Sequence, residues 1–510
     1  MALQEILPIW LPILLLLCAV YLYKKSVACK GHKEHLPPGP PKLPIIGNLH
    51  QLGQVPHQSL CKLSKEYGPV MYLRLGGVPM VIVSSPEAAK QVLKVHDLDS
   101  CSRPASTAVG RLSYNYRTIA FSPFGDYWRE IRKICVLELL SSRRVLSFKS
   151  VREEEVASMI DSISQSCSSP RSIVDLGEKL MSLMANIICT VAFGQSFCSN
   201  KLGNNKLKEV MHETSVMVGK FCVADFFPFV GSIVDRLTGF STRLEKNFSD
   251  WDDILEKAID AHLDGERSEQ RQEDIIDVLL KIEREQGESA GGHFTRQDIK
   301  GILMDILFGG IDTASITVTW TMSELMKDPR AMKKAQEEVR SLIGNKGKVS
   351  EADVEHLDYL KLVVKEAMRL HPPGPLLIPR ETITAFNING YHILPRTRLY
   401  VNAWAIGRDP CSWDDPEKFV PERFEGTTID FKGQQHFELL PFGGGRRGCP
   451  GMQMGLAMVN LALANLLYHF DWKLPNGMGE GDLSMEEAAG LTLMRKHPLN
   501  LVPLKYHAPA

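Results

Sequence analysis

Net charge is the scarcest property of this chain: 59 basic residues stand against 60 acidic ones and leave −1 at pH 7 with histidine neutral. That balance offers a polyanion nothing to bind and excludes an electrostatic case for nucleic acid. Paired cysteines are missing as well. The 11 cysteines are odd in number, scattered from Cys18 and Cys29 to Cys411 and Cys449, and contain no C-x-x-C pair. This spacing speaks against a disulfide framework or a structural zinc site. No internal repeat and no low-complexity linker after residue 50 divide the 510 residues. One large domain is therefore allowed, where length alone suggests roughly two to four. A flavin or nicotinamide site is also lacking. Gly443, Gly445 and Gly448 do spell G-x-G-x-x-G, but that fingerprint needs a preceding strand, a βαβ unit and an acid about twenty positions on. Glu438 to Pro441 is too short and proline-terminated for a central strand, and Asn465 stands near the expected acid.

What is present begins with an apolar run. Ile6 to Tyr23 is almost wholly apolar, with Glu5 before it and Lys24, Lys25, Lys30 and Lys33 after it. Its length is close to the minimum of about 17 residues for a membrane span. A cleaved signal peptide would carry its positive charge before the run and a small-residue site after it. The basic flank places the following chain in the cytosol. We therefore expect residues 1–23 to be a single-pass anchor in the endoplasmic reticulum membrane, with the body on the cytosolic face. Residues 24–48 form a basic, proline-rich hinge, because five prolines between Leu36 and Pro44 exclude regular helix and favour stiff extended backbone. Residues 49–510 form the body.

Within the body, Val70 to Leu75 and Met80 to Val83 read as a hairpin around Gly76-Gly77, and Asn387 to Ile393 as another turning at Asn389-Gly390. Elsewhere the periodicity is helical, as in Glu153 to Ile163, Leu176 to Val191 and Phe248 to Leu263. The hydrophilic stretch Gly265 to Gly292 suggests an exposed helix and a mobile loop. The fold class expected is mainly α with small β-sheets.

The chemistry concentrates in Phe442-Gly443-Gly444-Gly445-Arg446-Arg447-Gly448-Cys449-Pro450-Gly451. Its glycines allow φ > 0 and a backbone that lies flat against a planar ligand. Pro450 suits a first helical position before the apolar run Met452 to Phe470, which would put Cys449 at a helix N-terminus where the dipole favours a thiolate. Such a sulfur can be a nucleophile, a metal ligand or an inert buried thiol. The full spacing resembles the haem-binding signature of the cytochrome P450 family, with Phe442, Gly445, Arg447, Cys449 and Gly451 at the matching positions. The resemblance implies that Cys449 is the axial ligand of a haem iron, with Phe442 against the sulfur and Arg447 at a propionate.

Other stretches have bland readings by themselves. Trp128 and Arg132 share a helical face at i, i+4, so an indole N–H and a guanidinium can meet one anion, although from spacing alone a surface arginine beside a packing tryptophan is the better reading. Thr295 to Lys327 reads as one helix capped by Thr295 with Asp298 and ended by Asp328-Pro329. Gly309 and Gly310 in its middle cost about 1 kcal/mol each relative to alanine, which suggests that something approaches the backbone or that the helix opens there. Asp312 and Thr313 follow, an acid and an alcohol able to relay protons or simply to face water. Glu366 and Arg369 at i, i+3 would ordinarily be a weak surface pair.

The resemblance gives these stretches roles. It implies Trp128, Arg132 and Arg380 as propionate contacts, and Asp312-Thr313 as the oxygen-activating pair, with Ala314 where a second hydroxyl is common. It implies Glu366, Arg369 and Arg423 as a structural network. Gly309, Gly310, Leu376, Leu377, Ile378, Leu491 and Thr492 are expected to line the substrate side, together with Arg111 to Phe121 and Phe221 to Phe229. That lining is mostly apolar and suits a hydrophobic small molecule.

With motifs in the family's order along the whole chain, the sequence is most similar to plant microsomal A-type members. The resemblance implies a single large catalytic domain of the cytochrome P450 fold and an NADPH- and O2-dependent oxidation of a specialised metabolite, whether terpenoid, alkaloid or phenolic. The cofactors implied are haem and, through a membrane-bound NADPH-cytochrome P450 reductase, NADPH. Arg143, Arg144 and Arg446 are candidate docking residues for that reductase. Two rivals stand beside this reading: a haem-thiolate isomerase or dehydratase that needs no reductase, and a non-catalytic membrane-anchored protein that binds haem or lipid.

Overall fold

The computed structural model describes residues 35–507 except 168–171, 195–200, 220–221, 228–229, 264–271, 288–293 and 489. The expected anchor, Ile6 to Tyr23, lies outside the described residues. Six helices position the site: α1 (Asp126–Ile134), α2 (Lys149–Ser166), α3 (Leu176–Phe193), α4 (Arg296–Lys327), α5 (Asp358–Leu370) and α6 (Met452–His469).

The longest, α4, starts where the sequence places it. Thr295 is its N-cap in a capping box, with the Thr295 N–H and hydroxyl donating to Asp298 Oδ2 at 2.7 and 2.6 Å. It ends at Asp328, whose side chain turns to cap the next helix by accepting from the Ala331 N–H at 3.0 Å. Most of α4 is buried, packed against α3 and α6. The helix runs unbroken through Gly309-Gly310, so the local opening allowed by the sequence does not occur. The two glycines differ in cause. A Cβ on Gly310 would sit 2.8 Å from Ile188 Cδ1 of α3, whereas one on Gly309 would meet nothing within 4 Å. Gly310 is small because a neighbouring helix passes close by. Helices α3 and α4 are both long and apolar enough to cross a membrane, yet 61% and 67% of their apolar windows are buried in the body.

A four-stranded sheet lies to one side in the order Val70–Leu75, Val78–Val83, Arg398–Val401, Arg380–Glu381. Its first pair is the expected hairpin, turning at Gly76 with φ +55°. The second hairpin pairs Phe386–Ile388 with Tyr391–Ile393 through Asn389-Gly390, both at positive φ. The proline-rich segment is fastened to the sheet edge: Tyr72 N–H donates to Pro38 O at 2.8 Å, and a Cβ on Gly39 would lie 1.9 Å from Tyr72 O. Asn48 Nδ2 holds the Pro40 and Pro41 carbonyls at 3.2 Å each.

The stretch Gly265 to Gly292 departs from expectation. Its described part is the helix Ile275–Gly287, which buries Ile275, Ile276, Leu279 and Leu280 in the main core. Those apolar residues form one face that the overall hydrophilicity concealed.

Candidate functional site

The Cys449 loop is shaped by its glycines. Gly443 and Gly445 both take φ +66°, and a Cβ on Gly445 would lie 2.3 Å from Leu93 O. Gly445–Arg447 form a single 3-10 turn, closed as Gly448 N–H donates to Gly445 O at 3.0 Å and Cys449 N–H to Phe442 O at 2.9 Å. Phe442 meets Phe431 edge-on, with ring centroids 5.5 Å apart. The helix starts later than the sequence suggests. Its N-cap is Gly451 and its first residue Met452, so Pro450 lies outside it and Cys449 stands two residues before its N-cap.

The expected thiolate preference is corrected accordingly. Burial pushes the Cys449 thiol up, while the Gly451 N–H and the Arg132 charge pull it back without prevailing. The protein's own dipoles leave the sulfur a thiol, and a coordinated cation is what would deprotonate it. Cys449 nonetheless presents accessible surface, in contrast to the buried Cys101, Cys135, Cys189 and Cys222.

Guanidinium groups crowd around this loop. Arg447 donates to the carbonyls of Cys101 and Ser122 at 2.8 Å each, and lies 4.1 Å over the Trp128 ring. Arg132 of α1 donates to Gly448 O at 2.6 Å. Arg103, which no sequence pattern marks, donates to the carbonyls of Ala120, Ile378 and Pro379 at 2.7 to 2.8 Å. Arg380 reaches Asp97 Oδ1 at 2.7 Å and Gly444 O at 3.0 Å, and Arg446 reaches the other Asp97 oxygen at 2.9 Å. Among the described residues, three of these five cations, Arg103, Arg132 and Arg447, thus donate only to carbonyl oxygens. Burial, with the charges of Arg380 and Arg132, holds Arg447 down at about 9, and burial together with Arg447 and Arg380 also holds Arg103 well below the ordinary arginine range. Such a surplus of buried cation is stabilised by an anionic ligand. An accessible cysteine sulfur beside it completes the donor set that a haem with its propionates requires.

Trp128 departs from the expectation that it shares an anion with Arg132. Its single N–H donates to Ile119 O at 3.0 Å, so the indole offers its face to Arg447 instead. Ile119 is in turn held by Asp305 of α4, whose Oδ2 accepts the Ile119 and Ala120 N–H groups at 2.6 and 3.0 Å.

On α4, Thr313 donates its hydroxyl to Gly309 O at 2.7 Å, and Gly309 itself is exposed. Asp312 is buried, and its carboxyl accepts no hydrogen bond from the described residues. Burial alone pushes it up to about 7.

Glu366 and Arg369 are buried on α5, at 0% and 1% exposure, far from the surface pair their spacing alone suggests. The pair is bidentate at 2.7 and 2.8 Å, and Arg423 Nε joins Glu366 Oε1 at 2.8 Å. Arg369 also holds the carbonyls of Gly407, Pro416 and Lys418, and Glu366 accepts the Val420 N–H. The network staples α5 to the chain that leads into the cysteine loop.

The lining candidates divide. Leu377, at φ +52°, packs with Gly443, whose Cβ would lie 3.7 Å from Leu377 Cδ1. Ile378 gives its carbonyl to Arg103, and Leu376 packs towards the four-stranded sheet. Leu491 and Thr492 ride on a loop fixed by Trp320 Nε1 to Leu493 O at 2.6 Å and Leu493 N–H to Pro373 O at 2.9 Å. Gly310 belongs to the α3 contact. Arg111, expected in an apolar lining, instead edges a mixed cleft of about 850 Å³ with Tyr114, Tyr116, Asp225, Glu381 and Arg398. There its guanidinium pairs with Glu245 at 2.8 Å over the Phe248 ring. Phe221 and Phe229 lie outside the described residues. Of the docking candidates, Arg144 is bound to Glu273 at 2.9 Å, Arg446 to Asp97, and Arg143 is exposed.

Comparison with known proteins gives the same family. The family model "Cytochrome P450" matches residues 37–501. "Cytochrome P450 71B10" of Arabidopsis thaliana is 52% identical over 503 residues, covering 98% of this chain and 99% of its own length. "Cytochrome P450 71B34" of the same plant is 52% identical over 499 residues, covering 97% and 99%. "Cytochrome P450 71B35" is 50% identical over 500 residues, covering 97% and 98%.

Proposed function

We infer, from the premise that this chain belongs to the cytochrome P450 family and is therefore a haem-thiolate monooxygenase, that it oxidises a hydrophobic plant specialised metabolite with O2 and with electrons from NADPH. The electrons are delivered by a membrane-bound NADPH-cytochrome P450 reductase. An enzyme of this family leaves no room for the non-catalytic reading of the sequence. The observation that carries the proposal is the exposed Cys449, on which the Arg132 charge acts, in a body where Arg103, Arg132 and Arg447 donate only to carbonyl oxygens among the described residues.

Cys449 would hold the haem iron, and Arg132, Arg447 and Arg380 would pair with its propionates. Phe442, Gly445 and Gly451 shape the loop, and the Trp128 ring backs Arg447. The bound haem supplies activation of dioxygen, for which an anionic sulfur ligand favours O–O cleavage. The chain's residues manage the protons. Asp312, poised near neutrality by burial, takes a proton from the solvent side, and the Thr313 hydroxyl turns from Gly309 O to pass it on. Glu366, Arg369 and Arg423 keep the loop in register. Gly309, Leu376, Leu377, Ile378, Leu491 and Thr492 bound the substrate space. Residues 1–23 anchor the chain in the endoplasmic reticulum membrane, 24–48 connect the anchor to the body, and 49–510 form the cytosolic catalytic domain.

The deciding experiment is the visible spectrum of the purified protein, reduced under carbon monoxide, followed by turnover of hydrophobic metabolites with and without reductase and NADPH. A strongly red-shifted Soret band and strict dependence on both electron sources are expected. Turnover of a peroxide substrate without reductase would favour the isomerase reading. Thr313→Ala is expected to lower product per NADPH several-fold and raise hydrogen peroxide to match, and unchanged coupling would remove Thr313 from the relay.

A further inference from the structure

Among the described residues, Asp97 is the one carboxylate that accepts hydrogen bonds from the five guanidinium groups around the cysteine loop. It opens the short helix Asp97–Ser100, and its side chain is 4% exposed. The two oxygens serve different partners. Oδ1 accepts from Arg380 Nη1 at 2.7 Å, while Arg380 Nη2 goes on to Gly444 O at 3.0 Å. Oδ2 accepts from the Arg446 N–H at 3.1 Å and from Arg446 Nη1 at 2.9 Å. The loop leaves room for the carboxyl, since a Cβ on Gly445 would lie 2.5 Å from Asp97 Oδ1. Holding the loop in this shape needs acceptors, which a carboxamide would supply in part. A carboxylate adds a buried negative charge, and such a charge acts beyond its own partners because water is kept from screening it. The Asp97 charge is felt at Arg447, with which it shares no hydrogen bond among the described residues, and works there against the depression caused by burial. It is felt at the Cys101 thiol too, which it helps to push up.

We propose that Asp97 is a positioning residue for the haem: it holds the Arg380 guanidinium against the cysteine loop, and its charge offsets the surrounding arginines and so keeps the reduction potential of the iron low. The proposal rests on the reading of this loop as a haem-thiolate site. Two of the five N–H groups of Arg380 are spent on Asp97 and Gly444, which fixes the plane of the guanidinium and leaves the others for a propionate. Reduction of ferric to ferrous iron adds one electron to the site. A negative charge nearby opposes that gain, and a cation favours it. Without Asp97 the charges of Arg380 and Arg446 would stand unbalanced beside the loop, and the reduced form would gain. Asp97→Asn removes the charge and keeps one oxygen as acceptor. At a fixed potential the ratio of reduced to oxidised protein is expected to rise about tenfold, equivalent to about 59 mV for one electron.

Redox titration of the substrate-free holoprotein with dithionite, one electron per iron, tests this in the wild type, Asp97→Asn and Asp97→Glu. The Asn variant is expected to shift upwards as stated, and the Glu variant, which restores the charge, to return to the wild-type potential. An unmoved potential in Asp97→Asn would leave Asp97 as a loop brace and overturn the proposal. So would a Glu variant that shifts as far as the Asn variant, because geometry and not charge would then be responsible. If Asp97→Asn does not retain haem, Arg446→Gln decides. The Arg446 side chain is 48% exposed, and its loss leaves the Asp97 charge less balanced, so the potential is expected to fall further than in the exposed Arg143→Gln. A fall no larger than in Arg143→Gln overturns the proposal. The reduced carbon monoxide spectrum of the same preparations separates the two levels. A red-shifted wild-type band with an unmoved potential in the variants sinks the role of Asp97 only, and a missing wild-type band sinks the functional reading beneath it.

Discussion

Cys449→Ala abolishes the red-shifted Soret band of the reduced, carbon monoxide-treated protein and brings product formation to background. The expectation follows from the isolation of this sulfur. Among the described cysteines, Cys101, Cys135, Cys189 and Cys222 are buried in packing, half-buried Cys61 sits in the helix Pro56–Tyr67 and half-buried Cys167 against Pro503 O, and the exposed Cys411 lies beside Asp409. None can replace Cys449 within the loop Phe442–Gly451. The backbone that shapes the loop is independent of the side chain: the Cys449 N–H to Phe442 O bond and the positive φ of Gly443 and Gly445 survive truncation to alanine. The variant should therefore fold and give a normal far-ultraviolet spectrum while losing its thiolate signature. Retention of both band and activity would mean that another group holds the iron, and the assignment of the site would fall.

The second large effect is structural. Glu366→Gln is expected to destabilise the protein by about 3–5 kcal/mol, the cost of leaving a buried charge unpaired. Arg369 would keep its carbonyl partners but lose the carboxylate that balances its charge in a position 1% exposed. Arg423 would lose the charge it pairs with, while the amide oxygen of the glutamine can still accept the Val420 N–H. Because the network ties α5 to the segment preceding the cysteine loop, the loss should appear first as haem release at temperatures that leave the wild type intact. Thermal melts followed both at the Soret band and by far-ultraviolet circular dichroism check this. Coincident, unshifted transitions would show that the triad is dispensable, and a Soret loss that precedes unfolding would locate its role in the loop.

Local patterns carried much of this structure. The capping box at Thr295 and Asp298, the hairpins at Gly76-Gly77 and Asn389-Gly390, and the break at Asp328-Pro329 stand where the sequence places them. Each depends on residues a few positions apart, so a short window contains the whole cause. The boundary at Cys449 was less legible. Pro450 suits a first helical position in isolation, but the chain needs Gly451 as N-cap after the turn that closes onto Phe442.

Asp305 was within reach, since it shares a helical face with Gly309 and Thr313, but helical spacing alone does not tell an acid that pins the Ile119-Ala120 backbone from one facing water. Asp97 and Arg103 could not be found this way. Their partners Arg380 and Ile378 lie 283 and 275 residues away, and no periodicity records a contact at that separation. Gly310 was misread for a related reason: a missing side chain looks the same whether a ligand or Ile188 of another helix occupies the space.

The amino-acid sequence by itself determined the family, the mainly helical fold, the cysteine of the site and the order of its supporting motifs, because these reside in residue types at short fixed spacings. Only the tertiary structure decided the charge state and surroundings of the site. Burial depends on what every other segment covers, and burial is what raises the Cys449 thiol, brings Asp305 and Asp312 to about 7, and turns Glu366 and Arg369 from a surface pair into an interior staple.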